Sequence, residues 1–411
     1  MPCSRSYAST LSTESRSTPT GENSWNLHDG SDSDIGPDCQ VSCQVGGAAD
    51  RPISARLWAR LAIALEDLRD HHWHHPSAAT TELITELLPE ARAAVAFAIA
   101  EEDWELAGRI VGALTVHRHR EGGQVEARVW LDVLMPHLSD LSDRTRAAVL
   151  FDQGINCWHY GDLDRARSAW ADAADAYQRL GDTAWFAYTL AFLSMTHVEL
   201  GEDGPRRGAA LAAQAIERAR SVGVPALLAT VLIVAGEFAR SIDDYPIARS
   251  RYEEAGRIAE SVGDRTVHSV AIANLSYVAS HEGDFAEARR LGRLGLELAL
   301  GAGRRVLAAW SISELAEPAL GLGDVQLGAR LVGAAERALE RMGGRIYPGD
   351  TPAHERVVAG LIEALGREEY DRWHAAGATL SFAESVELAL GRDPAPPANG
   401  PSAGTPTAQQ A

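Results

Sequence analysis

Residues 269–303 read SVAIANLSYVASHEGDFAEARRLGRLGLELALGAG. The stretch predicts two short helices joined by a tight turn at Gly283-Asp284. Glycine suits the left-handed conformation that ends a helix, and aspartate suits the cap of the helix that follows. Glu287, three residues after Asp284, would complete a capping box.

The same turn recurs along the chain at an almost constant spacing. The turns begin at Gly161, Gly201, Asp243, Gly283 and Gly323, in steps of 40, 42, 40 and 40 residues. A second glycine closes each unit, at Gly181, Gly223, Gly263, Gly303 and Gly343. The two extra residues fall within 201–205, where a loop insertion costs little. A fixed period within about 20–50 residues marks a protein of stacked repeats.

Small residues recur at three positions of the repeat. They are Gly154, Gly236, Ser276 and Ala316; Ala166, Ala248, Ala288 and Gly328; and Ala173, Ala255, Gly295 and Ala335. Small side chains let two helix backbones approach closely, and a larger residue there would overpack the contact. Bulky residues also share positions, as Trp170 does with Tyr252.

This pattern resembles the tetratricopeptide repeat (TPR), which places small residues at such positions and bulky ones between them. The resemblance covers five units from Ala147 to about Gly343. It implies an all-α fold, a right-handed superhelical solenoid of TPR-like helix pairs. The period of about 40 residues departs from the roughly 34 residues of the usual repeat.

Two further stretches sharpen the resemblance. Residues 120–131 (REGGQVEARVWL) resemble the opening of the C-terminal repeat arrays found in regulators of high-GC bacteria. Residues 328–336 (GARLVGAAE), with 364–366 (ALG) and 385–390 (SVELAL), resemble the closing segment of those arrays. The regulators are LuxR-type, antibiotic-regulatory and signal-transduction ATPase proteins. We expect this chain to lack their upstream nucleotide-binding and DNA-binding or cyclase modules.

Composition excludes several kinds of activity. The sequence contains no lysine, so a P-loop, a protein-kinase site or a Schiff-base site cannot be built from it. The net charge is −19 and no basic block is present, which disfavours direct binding to duplex DNA. No catalytic motif is found, and we predict a non-enzymatic protein without a cofactor. The absence of a signal peptide or a long apolar stretch predicts a cytoplasmic protein that does not enter membranes.

Histidines and cysteines offer few candidate ligands. His71, His72, His74 and His75 could place two imidazoles on one helical face, but no further ligand follows at metal-binding spacing, so a solvated helix end explains them better. Cys3, Cys39 and Cys43 do not form a zinc motif, and Cys157 is expected in the core. The basic stretch 117–120 could receive a phosphate or an acidic partner, or could be an ordinary helix end.

The chain divides into five predicted segments. Residues 1–52 and 392–411 are expected to be disordered, because they are polar or rich in Pro, Ala and Gly. Residues 53–140 form N-terminal helices with one degenerate repeat, including a helix that opens at Pro89 and another over 104–119. Residues 141–345 hold five repeats, and 346–391 form C-terminal helices that close the solenoid.

In the repeat fold the first helix of each unit lines the inner groove. The positions expected to face it are Phe151, Ile155 and Trp158; Tyr188, Met195 and Val198; Ile233, Glu237 and Arg240; Tyr277 and Ser280; and Trp310, Ser313 and Glu317. Aromatic, Met and Arg side chains are enriched at protein interfaces. We therefore predict a partner-binding groove formed by Trp158, Tyr188, Met195, Glu237, Arg240, Tyr277, Trp310 and Glu317, although several of the aligned positions could instead be core.

These observations favour a helical-repeat scaffold that binds a protein or peptide, the sensor or interaction portion of a bacterial regulator. One alternative is a transcriptional regulator that acts through DNA-binding domains or partners outside this chain. Another is a domain that senses a small ligand in the groove. The partner, the signal and the oligomeric state stay open.

Overall fold

The computed structural model describes residues 51–71, 78–121, 123–198, 200–201, 203–344 and 350–392. Within these ranges all regular structure is helical and no strand is present. The helices of this part are α1 (Arg51–His71), α2 (Ala78–Ala100), α3 (Trp104–Ala113), α4 (Thr115–Glu121), α5 (Gln124–Leu134), α6 (Asp143–His159), α7 (Leu163–Leu180), α8 (Thr183–Met195), α9 (Gly204–Val222), α10 (Pro225–Ser241), α11 (Tyr245–Val262), α12 (Arg265–His281), α13 (Phe285–Gly301), α14 (Arg305–Glu314), α15 (Ala316–Gly321), α16 (Val325–Arg341), α17 (Thr351–Leu365), α18 (Arg367–Ala378) and α19 (Phe382–Leu390). A 3-10 helix, Met135–Asp140, joins α5 to α6. None of the described helices is both long and apolar enough to cross a membrane.

Several predicted features lie outside the described residues. They are the chain ends expected to be disordered, three of the four cysteines and the side chains of the histidine cluster at 71–75. Cys157 is described and buried, as expected of a core residue.

The repeated turns have the geometry that their residues predict. Gly283 adopts φ +81°, and Asp243, which replaces glycine in one unit, adopts the same left-handed region at φ +60°. The Asp284 carboxylate accepts a hydrogen bond from the Glu287 backbone N–H at 3.1 Å. The predicted capping box at this turn is wrong, however, because the Glu287 carboxylate instead binds both Nε and Nη2 of Arg290 at 2.7 Å.

Small residues allow the helices of each pair to touch. A Cβ at Gly154 would lie 2.2 Å from Trp170 Nε1, and one at Gly236 would lie 2.5 Å from Tyr252 Cε1. In the next unit the equivalent Ser276 donates its hydroxyl to the Ala288 carbonyl at 2.7 Å. The bulky residues of the repeat therefore pack directly on its small residues. The predicted all-α solenoid of TPR-like helix pairs is confirmed.

The N-terminal helices differ from the prediction in two places. Helix α2 runs without interruption through Pro89. A proline removes one backbone hydrogen bond, but the next turns bury Ala91, Ala94 and Val95 completely, and this packing holds the helix together. Conversely, the helix expected over 104–119 is divided at Leu114 into α3 and α4.

The solenoid curves far enough to bring an N-terminal helix against the fifth repeat. Helix α4, ahead of the five repeats, packs against α14 in the fifth. Successive inner helices α8, α10, α12 and α14 also contact one another. This arrangement encloses the concave side of the repeats.

The C-terminal helices pack on the last repeat. The Glu336 carboxylate on α16 is hydrogen-bonded by His354 Nε2 at 2.9 Å and His374 Nε2 at 2.8 Å. Burial alone would raise the pKa of Glu336, but these two hydrogen bonds outweigh it and lower the pKa to about 2. Ser381 and Glu384 form a complete capping box at the start of α19.

Candidate functional site: a cavity on the concave side

A cavity lies on the concave side, where the inner helices of the repeats face each other. Its empty volume is about 1700 Å³, including the part that opens to solvent. All eight residues predicted to form the groove line it: Trp158, Tyr188, Met195, Glu237, Arg240, Tyr277, Trp310 and Glu317. Ile233 and Ser313 line it as well.

The residues that line the cavity recur with the period of the repeat. Three positions recur in units two to five, at thirteen, nine and six residues before the turn. They hold Tyr188, Thr230, Val270 and Trp310; Phe192, Val234, Asn274 and Glu314; and Met195, Glu237, Tyr277 and Glu317. Each inner helix thus contributes one stripe of side chains, and neighbouring stripes lie side by side.

One end of the cavity is aromatic. The rings of Tyr188 and Phe192 meet edge to face with centroids 5.0 Å apart. Phe151 packs behind both, at 5.4 Å from Tyr188 and 5.7 Å from Phe192. Trp158 and His119 complete this part of the wall, with ring centroids 6.5 Å apart. Edge-to-face contacts of this kind fix ring orientations, so this end is a preformed apolar surface.

The opposite end of the cavity is charged. Arg240 Nη2 lies 2.7 Å from Asp350 Oδ1, and the Arg240 side chain is 10 % exposed. The Arg240 guanidinium also lies over the Tyr277 ring, 4.5 Å from its centroid. Asp350, which precedes α17, thereby joins the C-terminal helices to the inner face of α10.

Two glutamates beside this ion pair titrate far from their ordinary range. Burial raises the pKa of Glu237 to about 7, although the Arg240 guanidinium opposes the shift. Burial and the neighbouring Asp350 carboxylate raise the pKa of Glu314 to about 8. Both side chains line the cavity and keep some accessible surface, but Glu314 Oε2 itself is inaccessible and has no hydrogen-bond partner among the described residues.

Other aligned positions do not face the cavity. Phe151 and Ile155 are 1 % and 3 % exposed and belong to the hydrophobic core, and Val198 packs against the same core. Ser280 is also buried, within α12. The prediction was wrong for these four, because their side chains pack into the protein interior and do not line the cavity.

Several lining residues were not predicted. Glu314 and Asn274 occupy a repeat position that the sequence already contained, nine residues before the turn, beside Val234 and Phe192. Asp350 and His354 lie beyond the last repeat, so the period gives no signal for them.

Two residues of the basic stretch at 117–120 are buried rather than exposed. Arg118 is 3 % exposed and its guanidinium binds the buried Asp152 carboxylate. His117 is 8 % exposed, and burial lowers its pKa to about 4. A phosphate-binding role is therefore wrong for these two residues, whose polar groups face the interior. The described residues contain no group of three or more possible metal ligands.

Comparison with known proteins supports the fold. No protein-family model and no curated protein sequence matches the chain. Among solved structures, a Rap protein complexed with competence and sporulation factor is similar at 14% identity and a TM-score of 0.55, over 80% of this chain and 96% of that one.

Two further solved structures show weaker likeness. A STAND signal-transduction ATPase with a tetratricopeptide repeat sensor, from Pyrococcus horikoshii, is 13% identical with a TM-score of 0.47, over 80% of this chain and 56% of that one. NprR in complex with its cognate peptide NprX is 15% identical with a TM-score of 0.44, over 85% of this chain and 95% of that one. The fold and the concave cavity together define the class: this chain is a TPR-like helical-repeat protein.

Proposed function

We propose that this protein is a non-enzymatic helical-repeat receptor that binds a short peptide in its concave cavity. By its resemblance to the repeat arrays of bacterial regulators, it is the sensor or interaction portion of a regulatory protein. The eight groove residues named from the sequence contact that peptide.

The observation that carries the proposal is the composition of the cavity wall. Ligand sites are concave and mostly apolar, with a few placed polar groups that fix orientation. Here Tyr188, Phe192 and Trp158 supply an apolar end, and Arg240 and the cavity glutamates supply a polar end. A peptide carries both kinds of group along one chain.

The part of the wall from α8 to α12 agrees in length with a peptide of five or six residues. Packed helices lie about 8–10 Å apart, so three neighbouring inner helices span roughly 16–20 Å. An extended chain covers about 3.3–3.6 Å per residue, and five or six residues match that span. The Rap structure, which shares this fold, was solved with competence and sporulation factor bound, but that likeness supports only the fold.

A small-ligand sensor is the second candidate. It is favoured by α17, whose residues Ala353, His354 and Val357 cover one side of the cavity. A transcriptional regulator that acts through domains or partners outside this chain is compatible with either kind of ligand.

A blocking substitution tests the proposal. Ser313 lines the cavity, and Ser313→Trp would fill part of it. The matched control is Ser168→Trp, because Ser168 is exposed on α7, a second helix of its repeat. Each protein is incubated with a synthetic pool of random five- to seven-residue peptides, and retained peptides are identified by mass spectrometry.

Wild type and Ser168→Trp are expected to retain the same peptides, and Ser313→Trp to retain few of them. Circular dichroism establishes that the three proteins have equal helical content. The proposal is overturned if wild type retains no peptide, or if folded Ser313→Trp retains the same set as wild type.

A further inference from the structure

The charged end of the cavity has an excess of carboxyl groups. Among the described lining residues, four carry a carboxyl group and two carry a guanidinium: Glu237, Glu314, Glu317 and Asp350 against Arg240 and Arg304. Asp350 already binds Arg240. Arg304 is 5 % exposed and its Nε donates to Thr266 Oγ1 at 3.2 Å. The two cations are therefore engaged, and the glutamates are left to face the cavity.

Glu314 is the least satisfied of these glutamates. Its Oε2 is inaccessible to solvent and accepts no hydrogen bond from a described residue. The nearby charges that act on it are the Asp350 and Glu237 carboxylates, which repel its ionised form, and the Arg240 guanidinium, which attracts it. A buried carboxyl group without a partner is costly unless it stays protonated or receives a cation.

An aromatic ring stands one helical turn from Glu314. Trp310 and Glu314 are four residues apart on α14, so their side chains share one face, and both line the cavity. Tryptophan is the aromatic residue that attracts a cation most strongly. The Tyr277 ring has the Arg240 guanidinium on one face, and Trp310 lines the cavity on the same face of α14 as Glu314.

We propose that the ligand presents a cationic group, an ammonium or a guanidinium, which binds the Glu314 carboxylate beside the Trp310 ring, with Glu237 as the second carboxylate. This inference rests on the proposed peptide function, where the group would be a Lys or Arg side chain or the amino terminus. A free polyamine would offer the same chemistry without a peptide. The acidic end thus selects the charge of the ligand, and the aromatic end accepts its apolar part.

Binding of a cation should be linked to proton release. In the free protein the pKa of Glu314 is about 8 and that of Glu237 about 7, so both groups are partly or largely protonated at neutral pH. A cation binds the ionised carboxylate, and each proton must leave before the pair forms. The affinity therefore rises with pH from 6 to about 8, by up to about tenfold per unit for each proton released, and levels off above that.

The histidines near the cluster act on other carboxylates. His354 on α17 is hydrogen-bonded to Glu336 rather than to the cavity glutamates. His281 and Arg356 act on Glu317, at the edge of the cluster. Asn274 on α12 forms a hydrogen bond with Glu237, and it does not titrate.

The test compares Glu314→Gln with Glu260→Gln, a matched change at an exposed residue of α11. The probes are a lysine-containing peptide retained by wild type, the same peptide with norleucine in place of lysine and an acetylated amino terminus, and spermidine. Calorimetry in two buffers of different ionisation enthalpy, at pH 6, 7 and 8, measures affinity and protons released.

Wild type and Glu260→Gln are expected to prefer the lysine peptide, with an affinity that rises with pH. Glu314→Gln should lose about 10- to 100-fold affinity for it, the range of a hydrogen bond to a charged group. The same variant should bind the norleucine peptide as wild type does and should release fewer protons. This last comparison shows that the variant is folded and that its cavity is intact.

The outcomes separate the two proposals. If wild type binds lysine and norleucine peptides equally, at all three pH values, the cationic inference is overturned and the peptide function stands. If no peptide binds but spermidine does, with a loss in Glu314→Gln, the cationic inference stands and the peptide function is overturned. Equal binding of every probe by Glu314→Gln and wild type also overturns the cationic inference.

Discussion

Single buried residues at repeat positions determine how closely the helices of this protein pack. Ala288 is fully buried, and its carbonyl oxygen accepts a hydrogen bond from the hydroxyl of Ser276 on the partner helix. Its neighbour Ala286, two positions earlier on the same helix, is exposed. The sequence distinguishes these two alanines only through the 40-residue period, because their local surroundings are alike in composition.

Ala288→Leu should therefore lower the free energy of unfolding much more than Ala286→Leu. The added side chain has no room at Ala288, where overpacking costs about 1–3 kcal/mol, whereas Ala286 faces solvent. Urea denaturation of both variants, followed by circular dichroism at 222 nm, measures the difference. Equal midpoints would mean that the repeat positions are out of register.

Between elements, two glycines create a very close helix contact at the C-terminal end. A Cβ at Gly333 on α16 would lie 2.0 Å from the His374 carbonyl oxygen, and one at Gly377 on α18 would lie 2.0 Å from the Arg330 carbonyl oxygen. The two helices thus present a glycine to each other's backbone. Backbone cannot rotate aside as a side chain can, so this contact depends on the absence of both Cβ atoms.

Gly333→Ala should destabilise the protein by about 1–3 kcal/mol or separate α18 from α16. The control is Gly256→Ala, where the new Cβ would meet Ala271 Cβ at an ordinary 3.5 Å. That change should stabilise the protein by about 0.5–1 kcal/mol, because alanine is the better helix residue. Thermal denaturation compares the two, and a Gly333→Ala variant as stable as Gly256→Ala would contradict the described packing.

Across the whole molecule, the sequence predicted the repeated turns and helix pairs. It could not predict the long-range contacts that form when the solenoid curves. The turn at Asp243 was identified without its glycine, because the spacing and Asp244 remained. The contact of Arg240 with Asp350 joins residues 110 positions apart and depends on how far the solenoid curves. No local sequence pattern indicates that curvature, so the ion pair between Arg240 and Asp350 emerged only in the structure.

Glu314 lies between these two cases, because the sequence indicated its position in the repeat but not its burial. It shares a repeat position with Asn274, and that position lines the cavity in both units. The sequence contained this signal, but the positions predicted to form the groove did not include this one. Its burial, and hence its shifted titration, depends on Asp350 and α17 from beyond the repeats.

Cross-linking of a bound peptide establishes whether the concave cavity is the binding site. A peptide retained by wild type is resynthesised with a diazirine amino acid at its centre, irradiated in the complex and mapped by tandem mass spectrometry. We expect cross-links at lining residues such as Tyr188, Glu237, Tyr277 and Trp310. Cross-links confined to the outer helices, at exposed residues such as Ser168 or Arg257, would contradict this expectation.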